Sequence, residues 1–367
     1  MASSAAISSP HSAKAGGYRI RAAVIKPIDE WYQVFDNVEN HAGSLAGDAG
    51  DFAVCRKLCE GASEVYQLAA GMGGIGFIEN NKATCMLSVM TNTHMVLAAQ
   101  EAGTEQFFYA ASACVYNADK QMNPNLTALA EPDAYPVLPE DGYGREKLFS
   151  ERMCRHFRED FGIQARAARF HNVYGPHGTW QSGREKARAA ICRKVITAKA
   201  SGKYEIEIRC DGDQTRSFMY IDDCVESIQK ITHSKIYEPI NLGSSELMSI
   251  NHLVDIAEAI AGIKLQRHYR LDAPKGVNDR NSHNTKIKGY LGWEPSMKLR
   301  DGIAATYTWI EQDFQREVGG TGAATMATSS FQHGSRPIPG DGFVAESKHM
   351  NTWRQGIPAG YGPAAKS

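Results

Sequence analysis

Tyr143 and Lys147 stand four residues apart in Tyr-Gly-Arg-Glu-Lys, downstream of the apolar run Phe107-Phe-Tyr-Ala-Ala that ends in Ser112 and Cys114. On a helix this spacing puts phenol and ammonium on one face, where the positive charge favours the phenolate and makes Tyr143 a candidate acid/base. Taken alone, the spacing more often marks a solvated helix face. With Ser112 delivered by a buried strand, the three side chains can bind a carbinol oxygen and take its proton. They can also hold a nicotinamide ribose while hydride leaves the carbon. The bland alternatives are that Ser112 caps a turn and Cys114 is a small core hydrophobe.

Other segments add polar groups. Arg169-Phe-His-Asn-Val-Tyr-Gly-Pro176 reads as a strand ending in Asn172, which can orient a substrate or serve turn chemistry. Lys186, in Gly183-Arg-Glu-Lys-Ala, falls in the first turn of an expected helix. A cation is disfavoured there, so it is either solvent-exposed or present for chemistry. Arg216 and Arg280 are candidate bidentate phosphate ligands, with surface salt bridging as the alternative. The cluster Gly71-Met-Gly-Gly-Ile-Gly76 is a phosphate-cradling loop or a tight turn, and its place after a strand predicts that it faces the site.

These groups need a scaffold. Strand signals cover Tyr18 to Ile25, Glu64 to Ala70, Gln106 to Ser112, Gln164 to Phe170, Tyr204 to Ile208 and Pro239 to Leu242. Helical patterns cover Phe52 to Cys59, Asn81 to Ala102, Gly144 to Asp160, Arg184 to Ala200, Asp222 to Ile231, Ile250 to Ile260 and Leu299 to Phe314. This alternation predicts an α/β fold, a Rossmann-type parallel sheet with helices on both faces, plus a smaller C-terminal α/β substrate domain. Ligands should gather at the carboxyl ends of the strands. We expect disorder over 1–17, a cofactor domain over 18–175, a mainly substrate-binding region over 176–316 and a disordered tail over 317–367.

Composition narrows the classes. The net charge of -1 gives no bulk attraction to nucleic acid or a membrane surface, so phosphate recognition must be local. No apolar run is long enough to span a bilayer and no signal-peptide pattern opens the chain, which reads as soluble and cytoplasmic. Its eight cysteines show no Cys-x-x-Cys pairs, predicting reduced thiols and no metal site.

Taken together, the segments resemble the extended short-chain dehydrogenase/reductase superfamily, and within it the GDP-mannose 3,5-epimerase family. The resemblance runs from about Tyr18 to Phe314. It rests on Leu68-Ala-Ala-Gly-Met-Gly-Gly-Ile-Gly-Phe-Ile78, Ser112-Ala-Cys-Val-Tyr116, Tyr143-Gly-Arg-Glu-Lys147, Arg169 to Pro176, Gly178-Thr-Trp, Gly183-Arg-Glu-Lys-Ala187, Gln214-Thr-Arg-Ser-Phe218 and Arg280-Asn-Ser. It implies an NAD cofactor, a GDP-sugar substrate and a homodimer. GDP-mannose would become GDP-galactose by C4 oxidation, proton exchange at C3 and C5, and re-reduction. Tyr143, Lys147 and Ser112 would serve the oxidation, and Cys114 and Lys186 would be the opposed acid/base pair. Gly73, Ser112, Ala113, Asn172, Glu185 and Lys194 would line the sugar site. Gln214, Thr215, Arg216 and Arg280 would lie near the nucleotide or its diphosphate, and Asp48 would face the cofactor's adenine side, with Tyr143 and Lys147 at its other end.

The chain departs from that pattern at its start. It opens where the family's second strand would be, so the first strand, glycine turn and first helix are expected to be missing, leaving a central sheet position to be filled. The acid that closes the second strand falls at about Ala23, and Ala69-Ala-Gly-Met replaces Ala-Ala-Asp-Met. Two other readings compete with the epimerase. A nucleotide-sugar-binding protein without turnover is favoured by these departures and opposed by the retained Cys114, Tyr143, Lys147 and Lys186. A related 4-epimerase or dehydratase needs neither Cys114 nor Lys186.

Overall fold

The run Gln106–Ser112 is buried at six of its seven positions, which only a strand covered on both faces allows. Its side chains alternate between two cores. Phe107, Tyr109 and Ala111 pack with Cys55, Val96, Ala99 and Ala165, while Phe108 and Ala110 pack with Ile228, Ile231, Ile240 and Leu242. The computed structural model describes residues 18–43, 51–121, 128–139, 141–272 and 279–320.

The strands are β1 Ile20–Val24, β2 Val38–Ala42, β3 Glu64–Gln67, β4 Gln106–Ser112, β5 Gln164–Phe170, β6 Val173–Tyr174, β7 Glu205–Arg209, β8 Thr215–Ser217, β9 Met219–Tyr220, β10 Ile240–Leu242, β11 Leu247–Ser249, β12 Gln266–Arg270 and β13 Asp279–Arg280. The α-helices are α1 Phe52–Cys59, α2 Ile75–Asn80, α3 Lys82–Met86, α4 Ser88–Glu101, α5 Ala118–Gln121, α6 Gly142–Phe161, α7 Ala187–Ser201, α8 Ile221–Thr232, α9 Ile250–Ala261, α10 Thr285–Leu291 and α11 Leu299–Gly320.

Parallel strands β10-β5-β4-β3 form one sheet, in register from Gln106 opposite Gln164 to Ser112 opposite Phe170. The parallel pair β1-β2 forms another, so among the described residues β1 and β3 each pair on one side only. A separate core joins α7, α9 and α11 through Val195, Ile196, Val254, Ala257, Ile303 and Ile310. The segment after β1 reaches this region, where Tyr32 meets Trp309 edge-on with centroids 5.1 Å apart. No helix among the described residues is long and apolar enough to cross a membrane.

Three expected helices change. The helix expected over Leu299 to Phe314 runs on to Gly320, so residues 317–320 of the expected disordered tail are helical, and the rest of that tail, like 1–17, lies outside the described residues. The span from Asn81 to Ala102 is interrupted at Leu87, giving α3 and α4. The helix expected from Arg184 begins at Ala187 instead, and Lys186 is its N-cap in an extended conformation, φ -82° and ψ 162°. The backbone of Arg184 and Glu185 is engaged elsewhere. Gly74 N donates to the Arg184 carbonyl at 3.1 Å, and a Cβ on Gly74 would sit 2.7 Å from the Glu185 carbonyl oxygen. The glycine cluster and the Gly-Arg-Glu-Lys loop are thus packed backbone to backbone, which a side chain at residue 74 would prevent.

Candidate active site

Two adjoining cavities open at the carboxyl ends of β3, β4 and β5. The smaller, about 160 Å³, is walled by Leu68, Ala70, Ala110, Lys147, Val173 and Tyr174. The larger, about 650 Å³, lies within the size range of small-molecule sites and is bordered by Cys114, Asn172, Glu185, Lys194 and Arg216. Met72, Gly73, Ser112, Tyr143, Phe170, Lys186 and Arg188 line both.

Helix α6 presents Tyr143. Its N-cap Asp141 accepts from Gly144 N at 2.9 Å, and Gly162 closes it in the left-handed conformation, φ 77°. Gly144 lets the helix approach the 113–115 turn, because a Cβ there would run into the Cys114 carbonyl oxygen and lie 3.0 Å from Pro139 Cβ. That turn is braced by Ser112, whose Oγ accepts from Cys114 N at 3.2 Å. Cys114 is partly exposed, whereas the other seven cysteines are buried, and none of the eight is in a disulfide.

Tyr143 Oη bonds to Met72 Sδ at 3.7 Å and also engages Ser112. Burial holds its pKa well above the ordinary phenol value, and the nearby Cys114 and Glu146 add to the rise. The expected lowering by Lys147 does not prevail within the protein. The ammonium donates to the Ala110 carbonyl at 3.0 Å and stands 5.8 Å from the Tyr143 ring centroid. Burial pushes the Lys147 pKa down, opposed by Glu146, whose Oε1 is 3.9 Å from Nζ.

Behind this pair lies a polar network that the sequence reading did not find. Asn92 Nδ2 reaches Glu146 Oε2 at 3.1 Å, Ser150 Oγ at 3.0 Å and Tyr109 Oη at 3.2 Å, while its Oδ1 accepts from Gln67 at 2.8 Å. Arg188 was also missed. The only signal for either lies in the pattern, as polar residues on otherwise apolar helix faces.

On the larger cavity, Asn172 takes a left-handed backbone, φ 47°, and donates to the Ser217 carbonyl at 3.1 Å. Glu185 accepts from Arg193 at 2.9 Å, leaving its Oε2 buried without a hydrogen-bond partner. Lys194 donates to the Glu207 carbonyl at 2.7 Å, and burial lowers its pKa. Gln214 and Arg216 also line this cavity, and Arg216 Nη1 donates to the Thr215 carbonyl at 2.6 Å. Ala113 and Gly73 are on the wall, whereas Thr215 stands behind it in β8. Arg280 pairs with Arg216 through the backbone of β13, and its side chain lies outside the described residues, as does all of Asp48. Met72, Phe77, Arg184 and Arg209 are lining residues that sequence reasoning left out.

The chain is similar to several known proteins. Residues 26–243 match the NAD dependent epimerase/dehydratase family. GDP-mannose 3,5-epimerase 1 of Oryza sativa subsp. japonica is 46% identical over 264 residues, covering 72% of this chain and 68% of its own. Among solved structures, UDP-glucose 4-epimerase of Thermotoga maritima with UDP-glucose has a TM-score of 0.74 at 18% identity, covering 84% of this chain and 96% of its own. The Thermus thermophilus UDP-glucose 4-epimerase complex with NAD has a TM-score of 0.69 at 16% identity, covering 83% of this chain and 94% of its own. These likenesses to solved structures establish a shared Rossmann-type epimerase fold. The chain belongs to the NAD-dependent epimerase/dehydratase family, and within it to the GDP-mannose 3,5-epimerases.

Proposed function

We propose that this chain is an NAD-dependent isomerase that converts GDP-mannose to GDP-galactose. The observation that carries the reading is that Ser112, Tyr143 and Lys186 line the wall shared by the two cavities while Cys114 borders the larger one. A sugar in the larger cavity then has an alcohol-oxidising pair and a proton-exchanging pair within one site.

The smaller cavity suits the reactive half of a nicotinamide cofactor. Its apolar wall of Leu68, Ala70, Phe170 and Val173 fits a flat ring, and Lys147 and Tyr143 supply donors for a ribose. When bound, NAD supplies a reversible hydride acceptor for C4. Tyr143 takes the C4 hydroxyl proton, with Ser112 hydrogen-bonded to the same oxygen. The resulting ketone acidifies the hydrogens at C3 and C5. Cys114 and Lys186 remove a proton from one face of each carbon and return one to the other. Tyr143 gives its proton back as C4 is reduced, so residues and cofactor end as they began. Arg216 and Gln214, which also line the larger cavity, hold the nucleotide end.

The test is product analysis of the purified chain supplied with GDP-mannose and NAD. Formation of GDP-galactose supports the reading. Conversion limited to C4 would favour a 4-epimerase, and a folded chain that binds GDP-mannose without converting it would favour a binding protein.

A further inference from the structure

Arg188 is the second residue of α7, 3% exposed, in the wall common to both cavities. Its Nη2 donates to the Val173 carbonyl at 3.0 Å, and its guanidinium lies 4.6 Å from the Phe218 ring centroid. Its Nε is buried without a hydrogen-bond partner, and among the described residues no carboxylate pairs with it. The ionisable groups that act on it are Tyr174 and Cys192, both held neutral by burial, and Arg216, which repels it.

Apart from the Val173 carbonyl and the aromatic faces beside it, the local electrostatic influences oppose this charge. It is desolvated, it stands at the positive end of a fifteen-residue helix, and a neighbouring cation, Arg216, repels it. Burial lowers its pKa to about 10, which still leaves it charged at neutral pH. The stack on Phe218 offsets part of that cost but supplies no counter-charge. A buried cation of this kind bordering a ligand cavity marks a place where a ligand brings the negative charge.

We infer that Arg188 is an anion-binding residue whose guanidinium is completed by a phosphoryl oxygen of a diphosphate bound along the shared wall. The planar fork of donors suits phosphate, and both ligand classes assigned to the cavities carry a diphosphate. The inference rests on the functional reading above.

The experiment is calorimetric titration of the full chain and of Arg188→Met with NAD and, separately, with GDP, each at low and high salt. Melting is recorded without added nucleotide. The expected result is an affinity loss of about 10- to 100-fold for one probe, with a weaker salt dependence for that probe and no drop in melting temperature. Loss for NAD assigns the contact to the cofactor's diphosphate, and loss for GDP assigns it to the sugar nucleotide's. Unchanged affinity for both probes would overturn the inference. So would a lower melting temperature with both affinities reduced alike, since Arg188 would then be a packing residue. If Arg188→Met does not fold, Arg188→Lys replaces it. The same one-probe loss at unchanged melting temperature supports the inference, and no loss overturns it. Failure of the unsubstituted chain to bind either probe would instead overturn the functional reading, and the inference with it.

Discussion

The Lys147 ammonium donates to the Ala110 carbonyl at 3.0 Å, while the Tyr143 ring centroid lies 5.8 Å from it. Lys147 is thus held by backbone and not by the phenol, and burial keeps Tyr143 well above the ordinary phenol value. If Tyr143 is the C4 base, kcat/KM should climb as pH rises from about 6 to 9, because the reactive phenolate is the minor form over that range. Tyr143→Phe should remove the climb and lower turnover by about a hundred- to ten-thousand-fold with the fold unchanged. Normal turnover in that variant would remove Tyr143 from the mechanism.

Asn92 joins Gln67, Tyr109, Glu146 and Ser150 inside the protein. Asn92→Ala strands several buried polar groups at once, so unfolding free energy should fall by at least about 2 kcal/mol. Denaturant titration checks this. A change within measurement error would mean that the network is hydrated or rearranges freely.

Gly144 faces the Cys114 carbonyl without room for a Cβ. Alanine normally strengthens a helix interior by about 1 kcal/mol over glycine. Here the contact is with backbone, so Gly144→Ala should reverse that sign and destabilise by about 1–3 kcal/mol. The displaced turn should also change how fast Cys114 reacts with a thiol reagent. A more stable variant with unaltered Cys114 reactivity would contradict this packing.

Burial pushes Cys55 up to about 11 and Cys59, Cys154 and Cys192 up to about 12, and it raises Tyr109 and Tyr143 well above their ordinary values. These groups ionise earlier in the unfolded chain than in the folded one. The stability they contribute is full below about pH 8.5 and is lost as pH rises towards 12. The midpoint of urea unfolding should therefore fall progressively over that window, and a flat midpoint up to about pH 11 would argue against this burial.

Strands β4 and β5 were legible to the residue: β4 is an apolar run between polar residues, and β5, although it carries Arg166 and Arg169, is a short Ala-rich stretch between the helix-closing Gly162 and the polar Asn172 turn. Strand β2 was not. Only Val38 of its five residues is buried, so Val-Glu-Asn-His-Ala carries no period. Strands β6, β8, β9, β11 and β13 span two or three residues, too few to show one. The site segments could each be found by residue type, yet their assembly could not. The contact between Gly74 and Glu185 is made by backbone, and no side-chain pattern announces it. Arg188, Glu146 and Asn92 were passed over because charged and amide side chains read as surface, whereas here all three are buried.

In the function proposed above, one site oxidises C4 and exchanges protons at both C3 and C5. Incubation of the purified chain with GDP-mannose and NAD in deuterated water, followed by NMR of the sugar, tests it most directly. Deuterium should appear at C3 and at C5 with no net consumption of NAD. A folded chain that binds both compounds and leaves those carbons unlabelled would contradict it.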